Sequence, residues 1–444
     1  MPQPIANNAA TGAPRVLIVG GGPAGMMAAG QAALAGAQVR VLEKMDLPGR
    51  KLSITGKGRC NLTNIAPLPE FLARFGANGP FLRQALHHFF APELLDFFSG
   101  LGLEVVTERG GRVFPAAGRA PEVTRLLRDW LRRLGVRIDT KCPVQGLCLQ
   151  DGRITGVVSK TETIACDALV LATGGASYPR TGSTGDGYAL ARSAGHGIVP
   201  IRPALVGLEL ADGLSAPMAG LQLRNVLVRL FIDGKKKNEL FGELAFTETG
   251  VAGPVILTLS GQAVDAMAQG SEVVLLLDLK PALDEHKLDA RLIRDLQQRH
   301  QEPLATMLRG LLPREMIAFA LDQTALAADR PAGGIRAAER KRLRHWLKNC
   351  RLAITGHRPL AEAIVTAGGV DTREVDPRTM ASRCCAGLYF AGEILDIQAD
   401  TGGYNLQAAF STGWLAGRSA AHHAAHHAAQ YAAEACSRVS PLHP

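Results

Sequence analysis

The run Arg15-Val-Leu-Ile-Val-Gly20 is short, apolar and β-branched and stops at glycines, which predicts a buried strand. The alanine-rich stretch 24–35 behind it has helical propensity. Gln38-Val-Arg-Val-Leu-Glu43 is a second short strand closing on an acid, so the chain opens with a βαβ unit. Apolar positions recur at helical spacing over 80–98 and again over 121–134, where Pro121 suits a first turn and Gly135 an end. Short strands are expected near 103–106 and 112–114, and Leu169-Val-Leu-Ala-Thr-Gly-Gly175 is another buried strand running into glycines. This α/β block ends near residue 200.

Beyond Pro200 and Pro203 the pattern alternates, as in 223–232 with its turn at Asp233-Gly234 and in 273–279, which predicts a mostly antiparallel β domain. From 283 to 349 helical periodicity takes over, broken at Pro303, Pro313 and Pro331. The first texture then returns in Gly387-Leu-Tyr-Phe-Ala-Gly-Glu393 and in the helical stretch 404–418. An α/β cofactor domain of residues 15–200 and 363–420 is therefore interrupted by a β domain (201–282 and 350–362) and a helical subdomain (283–349). Residues 1–14 lack the basic leader and apolar core of a signal peptide and read as a flexible tail, and 421–444 as a frayed terminal helix.

Length and composition narrow the class. At 444 residues the chain exceeds what one core supports, and no apolar run reaches the ~18 residues of a membrane span. The cytoplasm is the default compartment, with no membrane partner. The formal charge of +9 leaves an acidic partner or nucleic acid open, but the run Arg340-Lys341-Arg342 with Arg344 reads more simply as a solvated helix face. The eight cysteines include no Cys-x-x-Cys pair, so no metal centre is expected, and the adjacent Cys384 and Cys385 read as two reduced thiols. His422 with His426 and His423 with His427 have chelating i,i+4 spacing, for which a solvated chain end is the plainer account.

The chemistry begins at Gly20-Gly21-Gly22-Pro23-Ala24-Gly25. Its Gly20-x-Gly22-x-x-Gly25 spacing suits a pyrophosphate: the glycines permit a tight turn, let backbone approach phosphate, and let helix pack on strand. The helix N-terminus adds free N–H groups and partial positive charge. Glu43, ending the second strand, is placed to accept from ribose hydroxyls. NAD and FAD sites share this turn, so it leaves the dinucleotide open. Downstream, residues 48–64 form a glycine-, basic- and hydroxyl-rich segment suited to run along an extended cofactor, or to be a surface loop.

At Gly49 to Asn64 the chain resembles the signature of the HI0933-like family of bacterial flavoproteins, whose members include proteins described as aminoacetone oxidases and bile-acid Δ4,6-reductases. The resemblance recurs in Gly111-Arg-Val-Phe-Pro115, Ala172-Thr-Gly-Gly175, Gly182-Ser-Thr-Gly-Asp-Gly-Tyr188, Ala367-Gly-Gly-Val370 and Phe390-Ala-Gly-Glu-Ile-Leu-Asp396, then Thr401-Gly-Gly-Tyr-Asn-Leu-Gln-Ala-Ala409. It implies FAD in a split Rossmann domain of the glutathione-reductase type, with the β and helical domains inserted. It further implies that Gly20, Gly22, Pro23, Ala24, Gly25 and Glu43 hold the ADP half, with Lys44, Arg50 and Lys51 around it and Val144 at the adenine. Gly58, Arg59, Cys60, Asn61 and Thr63 would lie nearer the flavin, and Gly392, Glu393, Gly403, Tyr404, Asn405 and Leu406 would meet the ribityl chain and ring. Ala172, Thr173, Gly174 and Asp186 complete the implied cofactor contacts. At positions 248 and 252 the family often has His and Ser where this chain has Glu248 and Ala252, which bears on substrate chemistry.

Catalytic candidates are fewer, since a flavin carries the electron chemistry itself. They are Arg59 with Cys60, a thiol that Arg59 could favour as thiolate, against a packed cysteine; Tyr178, with Arg180, for a carbonyl or acidic substrate; and Glu248. No second glycine turn of nucleotide-binding type follows Glu43, so NAD(P)H is expected at most as a transient co-substrate. The expected function is an FAD-dependent oxidoreductase passing hydride between flavin N5 and a small organic substrate, as reductase or as an amine-type oxidase. An RNA-associated flavoprotein is the less favoured alternative.

Overall fold

The computed structural model describes residues 13–211 and 213–438, with side chains to 427; residues 1–12, 439–444 and the Cys436 side chain lie outside the described part. The chain divides into two compact units, Met1–Arg202 with Ile364–Pro444, and Pro203–Ala363.

The first unit is built on five parallel strands in the order Leu388–Phe390, Ala168–Leu171, Arg15–Val19, Gln38–Leu42, Arg137–Asp139. Arg15–Val19 lies in the middle and is flanked in register, Val16 opposite both Ala168 and Val39. Its apolar run without alternation is what a strand covered on both faces requires, and Val16 and Ile18 are fully buried. The helix Pro23–Leu34 follows directly, and the long helix Tyr404–Arg438 packs along it through small residues. A Cβ on Gly413 would sit 2.3 Å from the Ala24 carbonyl oxygen, and one on Gly417 2.2 Å from that of Ala28, so two backbones touch there. Gly30 is likewise filled by the Trp130 ring of the helix Ala120–Arg133.

Where periodicity predicts one helix over 80–98, the chain forms a turn Gly76–Leu82 and two helices, Arg83–His88 and Ala91–Gly100. The break at Phe89 has a cause: its carbonyl accepts from Gln407 Nε2 (3.1 Å) and Ser411 Oγ (2.6 Å) of the long helix. Along that helix His423 is drawn into packing, with Nε2 3.1 Å from Arg153 and its ring edge-on to Tyr389.

The second unit is a closed six-stranded barrel in the order Leu208–Leu210, Gly250–Ala252, Lys235–Phe246, Gln222–Ile232, Val273–Asp278, Cys350–His357. Its main hairpin turns at Asp233 and Gly234, both left-handed (φ 49° and 72°), which matches the twist of the flanking strands. The helices Pro254–Ala268, Glu285–Gln298, Arg314–Thr324 and Ala337–Lys348 share one apolar core with the barrel, in which Leu288, Leu292, Leu343 and Leu347 meet Leu275 and Leu352. Among the described residues no helix is long and apolar enough to cross a membrane.

Candidate functional site: a split dinucleotide cradle

Each of the three spaced glycines in the first turn does something different. Gly20 is left-handed (φ 103°), and a Cβ there would lie 2.4 Å from the Ala172 carbonyl oxygen at the end of the neighbouring strand. At Gly25 a Cβ would lie 1.9 Å from the Gly20 carbonyl oxygen, so this glycine lets helix meet strand. A Cβ on Gly22 would meet nothing within 4 Å: its missing side chain faces open space. The helix beyond has Pro23 in its first turn, no side-chain cap and no acid, and its first helical bond is Met26 N–H to Gly22 O (2.8 Å). An uncapped helix N-terminus beside an open glycine is a cradle for an anion.

Glu43 is 9% exposed and braces this turn, Oε2 accepting from Gly21 N–H and Oε1 from Met45 N–H, each at 2.8 Å. Each carboxylate oxygen keeps a lone pair for a ribose hydroxyl. The segment 141–142 runs beside it through Lys141 N–H to Met45 O and Cys142 N–H to Glu43 O, both 2.9 Å, and leads into Val144 at the start of the strand Val144–Gln150. Lys44 Nζ bridges Thr184 Oγ1 (2.6 Å) and Asp186 Oδ2 (2.7 Å), while Arg50 turns to Asp46 at the surface (2.9 Å). Gly187 closes on the Thr173 hydroxyl, and Gly174 is left-handed, so the end of the strand Ala168–Leu171 and the Asp186 helix are fitted together.

The C-terminal part supplies the other wall. Gly392 (φ 78°) abuts Ala24, where an added Cβ would lie 2.8 Å from the Ala24 Cβ, and its N–H is held by Thr412 Oγ1 (3.0 Å). Gly403 (φ 97°) presses on the Thr63 carbonyl, where a Cβ would lie 2.3 Å away. Asn61, in the amide orientation its neighbours dictate, accepts from Gly403 N–H (3.0 Å). Asn64 donates to Gly110 O (2.9 Å) and Gly402 O (3.0 Å). The segment around residues 58–64 and the start of the helix Tyr404–Arg438 are thus one structure. Asn405 serves a brace, its amide paired both ways with the Ala399 backbone (2.9 and 3.0 Å), Tyr404 is buried edge-on against Phe71, and Leu406 is half-buried.

Between the walls lies a polar hub. Lys51 Nζ is 2.7 Å from both Glu393 Oε2 and Ser177 Oγ, and Glu393 Oε1 accepts from Thr366 N–H (2.8 Å) and Ser177 Oγ (3.1 Å). Burial alone would raise the Glu393 carboxyl; the Lys51 charge and hydrogen bond, with Thr366 and Ser177, hold it below its usual range. Near Glu393 and Asp396 the Tyr188 hydroxyl is buried without a hydrogen-bond partner among the described residues, and burial, with those two charges, pushes its phenol up. An unpaired buried hydroxyl costs about 1–3 kcal/mol, so this one calls for a partner from outside the chain. The open glycine, the uncapped helix and this orphan hydroxyl all fit a bound dinucleotide.

Sequence reasoning did not single out Ser177, Thr366 or Tyr188. Signals existed, since Ser177 stands beside Tyr178, Thr366 precedes Ala367-Gly-Gly-Val370 and Tyr188 ends the Gly182 motif. The catalytic candidates stand in different local settings. Cys60 is fully buried, and burial pushes its thiol up to about 12, so it is a neutral packed group at pH 7. Arg59 turns from it to Glu108 (2.5 Å) and the Phe114 face. Tyr178 is 37% exposed in a left-handed turn next to Ser177. Glu248 lies in the other unit, exposed in the bend between Lys235–Phe246 and Gly250–Ala252.

With this geometry in view, residues 14–419 match the family described as the HI0933-like protein Rossmann domain. The chain is 36% identical over 416 residues to a 3-dehydro-bile acid delta(4,6)-reductase of Clostridium scindens, covering 92% of this chain and 99% of that one. It is 30% identical over 399 residues to a ribosomal RNA dihydrouridine synthase of Escherichia coli K12, covering 90% and 96%. A solved 3-ketosteroid delta1-dehydrogenase from Sterolibacterium denitrificans, in complex with 1,4-androstadiene-3,17-dione, shares the fold at TM-score 0.50 and 14% identity, over 93% and 99% of the two chains. The chain belongs to the HI0933-like family of FAD-binding Rossmann oxidoreductases.

Proposed function

We propose that this protein is an FAD-dependent reductase that saturates a carbon–carbon double bond conjugated to a carbonyl in a small organic substrate, with NAD(P)H as transient reductant. Bound FAD supplies a hydride donor at N5. The observation that carries the reading is the cradle made by the open Gly22 turn on one side and Gly392, Gly403 and the Lys51–Glu393 hub on the other. The names of the relatives point the same way: a delta(4,6)-reductase of a 3-dehydro bile acid and a synthase of dihydrouridine both describe saturation of such a bond.

In this reading Gly22, Ala24 and Gly25 offer backbone N–H groups to the pyrophosphate, and Glu43 accepts from the adenosine ribose. The N-terminus of the helix at Tyr404 puts partial positive charge where negative charge gathers on reduction. Glu393, kept ionised by Lys51, accepts from the ribityl chain and cannot serve as the acid. Arg180 and Tyr178 would bind the substrate carbonyl, and polarising that carbonyl directs hydride to the far carbon of the double bond, while the near carbon takes its proton from solvent water.

The same chemistry on RNA is the second reading, favoured by the relatives named ribosomal RNA dihydrouridine synthases, at 29% and 30% identity. The basic run offers it only part of its charge. Arg340 pairs with Asp289 (3.1 Å) and Arg344 with Asp289 (3.3 Å) and Glu285 (3.6 Å) inside the helical layer, whereas Lys341 is exposed and Arg342, also exposed, donates to the neutral Thr324 O (3.2 Å). The deciding experiment incubates holo-protein and NAD(P)H with a 3-keto-4,6-diene steroid or with unmodified ribosomal RNA, and reads mass. A gain of two hydrogens on the steroid supports the first reading; a gain on uridine alone replaces it with the second, and no gain on either refutes the shared chemistry.

A further inference from the structure

We propose that His196, Glu374 and Cys384 form a site for a divalent cation of the zinc type, apart from the cofactor cradle. The three residues come from separate segments of the first unit: His196 after the helix Asp186–Ser193, Glu374 after the strand Val365–Val370, and Cys384 ahead of the strand Leu388–Phe390. Their ligand atoms all lie within 4.8 Å of one another. A nitrogen, a carboxylate oxygen and a thiolate are the donor set that borderline divalent ions take.

The buried imidazole carries the argument. The His196 side chain is 0% exposed, and its Nδ1 has no hydrogen-bond partner among the described residues. Glu374 Oε2 stands 3.2 Å from Nδ1, close but not aligned as a hydrogen bond. Two ligands on one tetrahedral zinc, each bonded at about 2.0–2.1 Å, are separated by roughly 3.3 Å. A misaligned nitrogen and oxygen at this spacing are what an ion between them would leave. The other ring nitrogen is occupied: Nε2 is 2.6 Å from Ser382 Oγ. With Nδ1 on a metal, Nε2 carries the ring proton and shares the Ser382 oxygen with the two backbone N–H groups it also accepts, the outer contact that orients a ligating histidine.

The third ligand is held by the same group, because Ser382 Oγ accepts from the N–H of Cys384 (3.0 Å) and of Cys385 (2.8 Å). Glu374 is fixed by Gly197 N–H, which donates to the same Oε2 (2.8 Å). Cys384 is exposed, so its thiolate can swing the remaining distance and water can fill the fourth position. A metal here would staple three segments beneath the sheet end. The His196 ring packs edge-on against Phe390 at 4.7 Å, two residues before Gly392, so the staple would steady the strand that delivers Gly392 and Glu393.

Cobalt(II) reports this on the full-length holo-protein after chelator treatment. One equivalent should give the intense red-region bands of a tetrahedral ion, where flavin does not absorb, and raise Tm. Cys384→Ala, at an exposed position, should fold normally and bind about 100-fold more weakly without thiolate charge transfer. Glu374→Gln should weaken binding without removing that charge transfer. Absence of stoichiometric binding, or binding unchanged in both variants, would overturn the proposal and leave a plain Ser382–His196–Glu374 chain.

Discussion

Gly22→Val leaves the cofactor-free protein within about 1 kcal/mol of wild type, the scale of an N-cap change, and weakens FAD at least about 100-fold, or ~2.7 kcal/mol. The asymmetry follows from what surrounds each glycine. At Gly22 the backbone is extended (φ −76°, ψ −176°), which any residue adopts, and no protein atom lies within 4 Å of the added Cβ. A side chain there meets only the space assigned to the pyrophosphate. Gly25→Val behaves oppositely, because its Cβ would overlap the Gly20 carbonyl at 1.9 Å and backbone must move. Overpacking of this kind costs about 3 kcal/mol in the protein alone. Urea unfolding of both apo-variants, with flavin fluorescence titration, separates the two. Equal flavin affinity in Gly22→Val and wild type would remove the phosphate from this turn.

Lys51→Met is expected to lose about 2–3 kcal/mol of stability, less than the 3–5 kcal/mol typical of breaking a fully buried pair, because Lys51 and Glu393 keep 22% and 21% side-chain exposure. The variant strands a carboxylate that Ser177 and Thr366 alone must hold. Its pH dependence has a definite sign. In wild type the Glu393 carboxyl is held below 4.5, so the pair stabilises at all pH above the ordinary glutamate range and its contribution is lost only as pH falls through the lowered value. Without Lys51, desolvation dominates and raises the group, so the charged form destabilises near neutrality and protonation relieves it. The stability gap between Lys51→Met and wild type should therefore narrow on acidification from pH 7, and Lys51→Met with Glu393→Gln should recover part of the loss. A gap independent of pH would mean that Lys51 acts by packing alone.

What the sequence revealed depended on how local each feature is. The unit Arg15–Val19, Pro23–Leu34, Gln38–Leu42 was legible because strand, turn and helix signals sit within thirty residues and each glycine has a steric reason. The hairpin turn at Asp233 and Gly234 was legible for the same reason. Closure of the barrel was not, since it depends on Leu208–Leu210 meeting Cys350–His357 across most of the unit. The helix Pro254–Ala268 escaped because an apolar run of that kind has no decisive period. Glu43 is legible as the acid that follows the second strand, but its bond to Gly21 N–H depends on the folded turn. Lys51 and Glu393 are 342 positions apart, and His196 and Glu374 are joined only by the fold, so no spacing rule could pair them. Cys-x-x-Cys spacing bears only on ligands close in sequence, whereas His196, Glu374 and Cys384 come from three distant segments.

Whether this cradle holds FAD and delivers its hydride to a conjugated double bond is read by bleaching the protein-bound flavin with NAD(P)H in the absence of oxygen and then adding a 3-keto-4,6-diene steroid. The yellow colour should return at once, in proportion to substrate reduced, with no oxygen present. If the flavin stays bleached with the steroid and with unmodified ribosomal RNA, and turns yellow only when oxygen is admitted, with hydrogen peroxide formed, the cradle does not deliver hydride to a conjugated double bond.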